Sequence, residues 1–187
     1  MKIYLVRHGQ TDLNIQKRMQ GRHGLPLNAV GRAQAEELGR ELAGVRFDAV
    51  YSSPQERAVE TALIASGGMI PITDERLQPF DVGSADGQVI DETMRLTVGL
   101  IPDTRYYDGV EDPKAFIARV FSFLDELTAK YAGRDANVMI AGHKCTTGCV
   151  DCYFNGMPAD GDFFSRSVKN GKCRVYNLDA GGNETRP

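Results

Sequence analysis

Lys2-Ile3-Tyr4-Leu5-Val6 runs directly into Arg7-His8-Gly9-Gln10-Thr11, with Asn14 three residues further on. After its single lysine the run is apolar, with β-branched and aromatic members, as in a buried strand of a parallel sheet. It ends abruptly in a cation, an imidazole and a glycine. Open α/β sheets bind ligands outside the carboxyl ends of their strands, so this is where reactive side chains are expected. A guanidinium forks onto phosphate oxygens, and a neutral imidazole nitrogen can attack phosphorus. Gly9 lets the backbone pass close to a ligand. Taken alone, the triplet fits equally well a strand end with a solvent-facing Arg and a half-buried His.

The rest of the chain alternates strand and helix patterns. After the turn-rich loop Gly21–Pro26, which contains Arg22 and His23, Asn28 is the expected N-cap of a helix running to about Gly44. Ala35, Leu38, Leu42 and Val45 form its apolar stripe. Phe47–Tyr51 reads as the next strand, ending in Ser52-Ser53-Pro54, with Pro54 suited to the first turn of a helix that carries Arg57 and Thr61 to Ala65. Ile70–Thr73 reads as a weak strand, Gln78–Val89 as a loop over the sheet edge, and Asp91–Leu100 as a short helix. Pro102–Asp112 reads as irregular. A long helix is expected from Pro113 to about Ala132, with Phe116, Val120, Phe123, Leu124, Leu127 and Tyr131 on one face. Asn137–Ala141 is the clearest second buried strand. It ends in Gly142-His143-Lys144 and leads into a helix over Cys145–Phe154. Asn170-Gly171 reads as a turn and Cys173–Leu178 as a final strand. The pattern predicts an α/β fold, a three-layer α/β/α sandwich around a doubly wound, mostly parallel sheet.

Composition narrows the class. With 187 residues, 42% of them hydrophobic, the chain suits one compact domain. That domain is expected over residues 1–180, with 181–187 as a loose tail. The 22 basic and 25 acidic residues leave a net charge of −3, which argues against a nucleic-acid or membrane-surface binder. The amino-terminal pattern is neither a signal peptide nor a membrane span, so a cytoplasmic location is expected. The cysteines form no disulfide framework. A homodimer is left open.

Two strands that each end in a histidine bring His8 and His143 to one sheet edge. Here the chain resembles the histidine phosphatase superfamily, the phosphoglycerate mutase-like proteins. The matching pieces are Arg7-His8-Gly9-Gln10-Thr11 with Asn14, the loop Gly21–Gly31 with Pro26-Leu27, Ser52-Ser53-Pro54 with Arg57, Ala58, Thr61 and Ala62, and His143. They follow the family's order over residues 1 to about 154. The resemblance implies that His8 takes the phosphoryl group as a phosphohistidine. It also implies that Arg7, Arg57 and His143 surround the phosphoryl oxygens, with Asn14 as a further donor. Gln10, Thr11, Gln20 and Gly21 join Asn14 and Lys144 as candidate substrate-binding residues. Preplaced cationic donors suit phosphoryl transfer, whose charge spreads over equatorial oxygens. No metal and no cofactor is implied. His8 should be neutral at its attacking nitrogen, and His143 is more useful protonated, which a bound phosphate favours.

Two departures from the family pattern stand out. Where a general-acid Glu is expected, four residues before Gly83, the chain has Pro79. Asp81, two residues on and on the same side of an extended segment, is the candidate replacement, with Asp86 and Glu75 as further carboxyls. Lys144 stands where the family usually has Gly; it serves either as a phosphate contact or as a solvated side chain.

The expected activity is hydrolysis of a small phosphate ester. A mutase is less expected, because the chain is short for the covering segments that keep a phosphoenzyme dry. Arg22, His23, Arg105, Tyr106 and Tyr107 are candidates for a mouth that favours anionic or sugar phosphates. Two rivals belong to other classes. Without the usual acid, the chain could be a non-enzymatic phospho-ligand binding protein. The triplet Cys145, Cys149 and Cys152 has the spacing of an iron–sulfur ligand set, but i, i+4, i+7 also places three small apolar residues on one helical face. No G-x-G-x-x-G follows the first strand.

Overall fold

The computed structural model describes residues 1–178. The loose tail expected at 181–187 lies outside them. A five-stranded sheet runs in the order β3-β2-β4-β1-β5, built from β1 (Lys2–Arg7), β2 (Ala49–Ser52), β3 (Ile72–Thr73), β4 (Asn137–Gly142) and β5 (Cys173–Asn177). Four strands are parallel, and β5 closes one edge antiparallel to β1.

Strand alternation assigns the two faces. Tyr4, Val6, Val50, Met139 and Ala141 pack with Leu38 of α2 (Ala29–Glu41) and with Ala62 and Ala65 of α3 (Glu56–Ala65). Ile3, Leu5, Tyr51, Val138 and Ile140 turn the other way. They meet Phe116, Val120, Phe123 and Leu124 of α4 (Pro113–Tyr131) and Cys149 of α5 (Lys144–Asn155). The fold is therefore the expected three-layer α/β/α sandwich. The stripe read on α4 is its buried face, and its first turn is capped by the Asp112 side chain on the Ala115 N–H.

Several boundaries move. Helix α2 stops at Glu41 rather than Gly44, β2 starts at Ala49 rather than Phe47, and α3 begins two residues beyond Pro54. A one-turn helix α1 (Asp12–Ile15) follows the first motif, held by a capping box between Thr11 and Asn14. No helix forms over Asp91–Leu100. The Asp91 carboxylate instead accepts from the Thr93 N–H and hydroxyl, and such a local bond competes with helix formation. The same segment carries a bridge between Leu96 and Pro102 and a left-handed Gly99.

The register places the reactive edge. Arg7 lies opposite Gly142, and the His8 N–H donates to the Gly142 carbonyl at 3.0 Å. Ser53 leaves β2 with its N–H on the Ala141 carbonyl at 3.0 Å. His8, His143 and Ser53 thus emerge side by side from three adjacent parallel strands. A tight glycine contact fixes the direction of the loop after β1. A Cβ on Gly9 would stand 2.3 Å from the Gly31 carbonyl oxygen, and one on Gly31 would stand 2.1 Å from the Gln10 carbonyl oxygen. Gly31→Ala should therefore lower the unfolding free energy by about 1–3 kcal/mol, read as an earlier urea midpoint. An unchanged midpoint would show that the two loops separate without cost.

Candidate active site

At the carboxyl edge of the sheet is a solvent-open cavity of about 320 Å³. His8 and His143 sit at its floor, their ring centroids 5.2 Å apart. His8 is buried, and its Nδ1 lies 2.7 Å from the Gly9 carbonyl oxygen. A carbonyl only accepts, so Nδ1 carries the hydrogen and Nε2 keeps its lone pair. Burial, then Arg57, then Arg7 hold the His8 imidazole well below its ordinary pKa of 6.5. The backbone around it is pinned by Asn170, whose Nδ2 donates to the His8 carbonyl at 3.0 Å.

His143 is held from β2, with Nε2 2.8 Å from the Ser53 hydroxyl. Its Nδ1 is buried without a partner. Desolvation first, then the charges of Arg57, His8 and Arg7, keep this imidazole neutral well below 6.5 in the free protein. The negative charge of a bound anion would oppose this shift.

Both arginines are desolvated, and burial lowers each pKa to about 10, which leaves them charged at neutral pH. Arg7 donates to the Val168 carbonyl and Arg57 to the Gly21 carbonyl, while both Nε atoms are buried and unpartnered. Neither forms an ion pair with a carboxylate among the described residues. Donors left open in this way mark a place for an anion; Arg7 lines the cavity, whereas Arg57 lies outside its lining and acts on both histidines through its charge. The amino end of α5, which starts directly after His143, adds its dipole there.

The substrate-binding candidates divide. Asn14, Gln20 and Lys144 line the cavity. The Asn14 Oδ1 is occupied by the Thr11 N–H and by Asn170, so its amide group is the donor it can offer. Gln20 accepts from the Thr11 hydroxyl, and its Nε2 is buried and unpartnered. Lys144 is half-buried on the cavity wall rather than fully solvated, and burial lowers its pKa. Gln10, Thr11 and Gly21 do not line the cavity. The Gln10 N–H goes to Gln34, Thr11 caps α1, and the Gly21 N–H goes to Asp86.

Asp81 is not brought to the cavity. Phe80 and Val82 face inward, so Asp81 points out, as strand-like alternation requires. Its carboxylate accepts from the Gly83 N–H and lies 3.4 Å from Arg22. Arg119 fixes the segment by donating to the Pro79 carbonyl, and Glu111 accepts the Asp81 N–H. Asp86 serves Gly21 and His23, and Glu75 serves Gln78. The expected mouth residues are also absent from the lining. Arg22 and His23 face these acids, and Arg105 pairs with Asp103. Cys145, Cys149 and Cys152 are buried, with burial raising each thiol's pKa, the opposite of a thiolate ligand set. Two contributors escape the sequence reading. Ser53 and Asn170 are visible there as a strand end and a turn, and nothing in their spacing reveals that they hold the two histidines.

The fold, the pair of histidines and the open arginine donors beside them suit a phosphoryl-handling α/β enzyme. The chain belongs to the histidine phosphatase superfamily (branch 1), whose sequence profile it matches over residues 3–186. It is 32% identical over 143 residues to PhoE, an uncharacterized phosphatase of Bacillus subtilis, covering 75% of this chain and 70% of that protein. Among solved structures it is similar to YhfR of Bacillus stearothermophilus, with a TM-score of 0.81, 27% identity and 98% and 94% of the two chains covered. It is also similar to a phosphoglycerate mutase of Thermus thermophilus, with a TM-score of 0.68, 26% identity and 100% and 97% covered. The activity is that of a phosphatase or phosphoglycerate mutase-like enzyme. Among the described residues, no helix is long and apolar enough to cross a membrane.

The two neutral, buried imidazoles have a consequence for stability. Below pH 6.5, their ordinary value, the unfolded chain takes up a proton at each while the folded chain does not. Stability is then full above that pH and falls as pH drops beneath it, by at most about 1.4 kcal/mol per unit for each histidine. Urea unfolding between pH 7.5 and 5.5 in phosphate-free buffer should show this fall, and His143→Gln should reduce its slope. A flat profile would mean that both rings accept protons in place.

Proposed function

We propose that this enzyme hydrolyses a phosphate monoester through a phosphohistidine on His8, without a metal. The observation that carries this reading is the His8–Gly9 hydrogen bond, which fixes the tautomer and leaves Nε2 as the nucleophile. The neutral ring is already in its reactive form, held there by burial and the arginines.

In the first step the Nε2 lone pair forms the N–P bond as the P–O bond to the leaving group breaks. The leaving oxygen takes that electron pair. The ring becomes cationic, and its Nδ1 hydrogen strengthens the bond to the Gly9 carbonyl. Arg7, Arg57 and the Asn14 and Gln20 amides are the donors for the equatorial oxygens, where positioned positive charge lowers the barrier most. The dianion also offsets the arginine field at His143 and favours a proton on its unpartnered Nδ1, which then becomes another donor. In the second step water attacks phosphorus, the N–P bond electrons return to Nε2, and the water proton leaves with inorganic phosphate.

Hydrolysis rather than transfer to a second substrate is supported by the solvent-open cavity, which admits water to the phosphoenzyme. His8→Ala should abolish turnover of p-nitrophenyl phosphate. Arg57→Ala should raise the barrier by about 2–4 kcal/mol, and EDTA should leave the rate unchanged. Wild-type turnover by His8→Ala would overturn the covalent route, and loss of activity in EDTA would overturn the metal-free one.

A further inference from the structure

The same cavity shows what kind of phosphate ester it takes, given the hydrolase reading on which this inference rests. We propose that the substrate is an aryl phosphate. Its aromatic leaving group seats on the apolar wall of Met19, Phe80, Val82, Ile90, Leu100 and Phe164, and it departs as a phenolate without a proton from the protein.

Two independent features of the cavity lead there. The first is its lack of a carboxylic acid to protonate an alkoxide, since the proton that a bound dianion brings to His143 is held on the phosphoryl oxygens by that same charge. Among the described residues, no Asp or Glu lines it. The nearby carboxylates are engaged elsewhere, Asp81 with Gly83 and Arg22, and Asp86 with Gly21 and His23. The Cys145 Sγ faces the Phe80 N–H, and burial makes its thiol a weaker acid still. Lys144 is a further cation beside the histidines. Next to a phosphate dianion its ammonium form is stabilised, which suits it to hold the phosphoryl group rather than to release a proton. A phenol ionises at about 10, whereas an aliphatic hydroxyl is a far weaker acid, comparable with bulk water. In a loose transition state the bond to the leaving oxygen is largely broken, so that oxygen takes on negative charge beside the charge on the equatorial oxygens. A phenolate can bear that charge unprotonated; an alkoxide needs a general acid.

The second feature is the wall. Phosphoanhydrides and acyl phosphates also leave without a proton, but they offer little to an apolar surface. The six wall residues line the cavity together with its cationic floor and with Lys17 and Arg18. Phe80 and Phe164 are held rigidly, Phe80 edge-on to Phe116 and Phe164 stacked on Phe163. Rigid aromatic side chains are suited to receive another ring. Ile90 and Leu100 are half-buried, so a ligand ring would remove their exposed parts from water.

The test compares kcat/KM of the wild-type enzyme for phenyl phosphate, benzyl phosphate and glycerol 2-phosphate, with p-nitrophenyl phosphate and His8→Ala as controls. Phenyl and benzyl phosphate are alike in apolarity and differ mainly in the leaving oxygen. Phenyl phosphate should be preferred by at least about 100-fold, the lower range of what a general acid contributes, and glycerol 2-phosphate should be the poorest. Leu100→Ser, at a half-buried position that tolerates a polar group, should lower kcat/KM for phenyl phosphate about tenfold. Benzyl phosphate turned over within tenfold of phenyl phosphate would reveal an acid in the site and overturn the proposal. So would glycerol 2-phosphate equal to phenyl phosphate, or a Leu100→Ser enzyme with unchanged kinetics. In those cases His8-dependent turnover of p-nitrophenyl phosphate would still support the hydrolase reading. Absence of that turnover would overturn both.

Discussion

Two guanidiniums, one buried and one half-buried, without a carboxylate partner among the described residues are the constraint on which the structure of this site depends. Arg57 is buried and Arg7 half-buried, and desolvation brings each down to about 10. A charge in that position is costly unless it is paired. Backbone carbonyls of Val168 and Gly21 satisfy part of the donor set and leave both Nε atoms open. The cost is tolerated because the arginines rest on a rigid sheet edge and because an anion can complete them. Burial first, and then the same positive field, hold His8 and His143 well below their ordinary pKa. Burial and the arginine charges together therefore favour both the binding of a phosphoryl group and the nucleophilic form of the ring that attacks it.

The supports of this arrangement are backbone contacts more than side-chain packing. Parallel pairing of β1 with β4, and of β4 with β2, sets His8, His143 and Ser53 beside each other. The Gly9–Gly31 contact aims the loop after β1 toward α2. Asn170 reaches from the turn before β5 to the His8 carbonyl and to Asn14. The antiparallel edge strand thus contributes to the site as well as closing the sheet, because it delivers Asn170 and, just upstream, the Val168 carbonyl that receives Arg7.

Most of this architecture is legible in the sequence because its signals are local. Continuous apolar runs ending in Arg7-His8 and in His143 mark buried strands, and the stripe from Phe116 to Tyr131 marks a helix with one buried face. The failures lie where a side chain competes with the pattern. Asp91 turns its carboxylate onto Thr93 and prevents the expected helix. The alternation expected around Asp81 has the right period and the wrong phase: Phe80 and Val82 take the inward positions, held so by Arg119 and Glu111 from a distant part of the chain. Gln10, Thr11 and Gly21 belong to the right motifs, yet their polar groups are used within the protein. Which atom of a motif faces a ligand depends on such long-range partners, and spacing alone does not encode them.

The central claim is that the His8 Nε2, freed by the Nδ1 bond to Gly9, bonds covalently to phosphorus. Rapid quenching of the enzyme with p-nitrophenyl phosphate, followed by mass spectrometry at alkaline pH, tests it most directly. A single phosphoryl group on His8, lost on acid treatment, is the result this account predicts. Full turnover with no phosphoryl group on His8, or with the group on another residue, would contradict it.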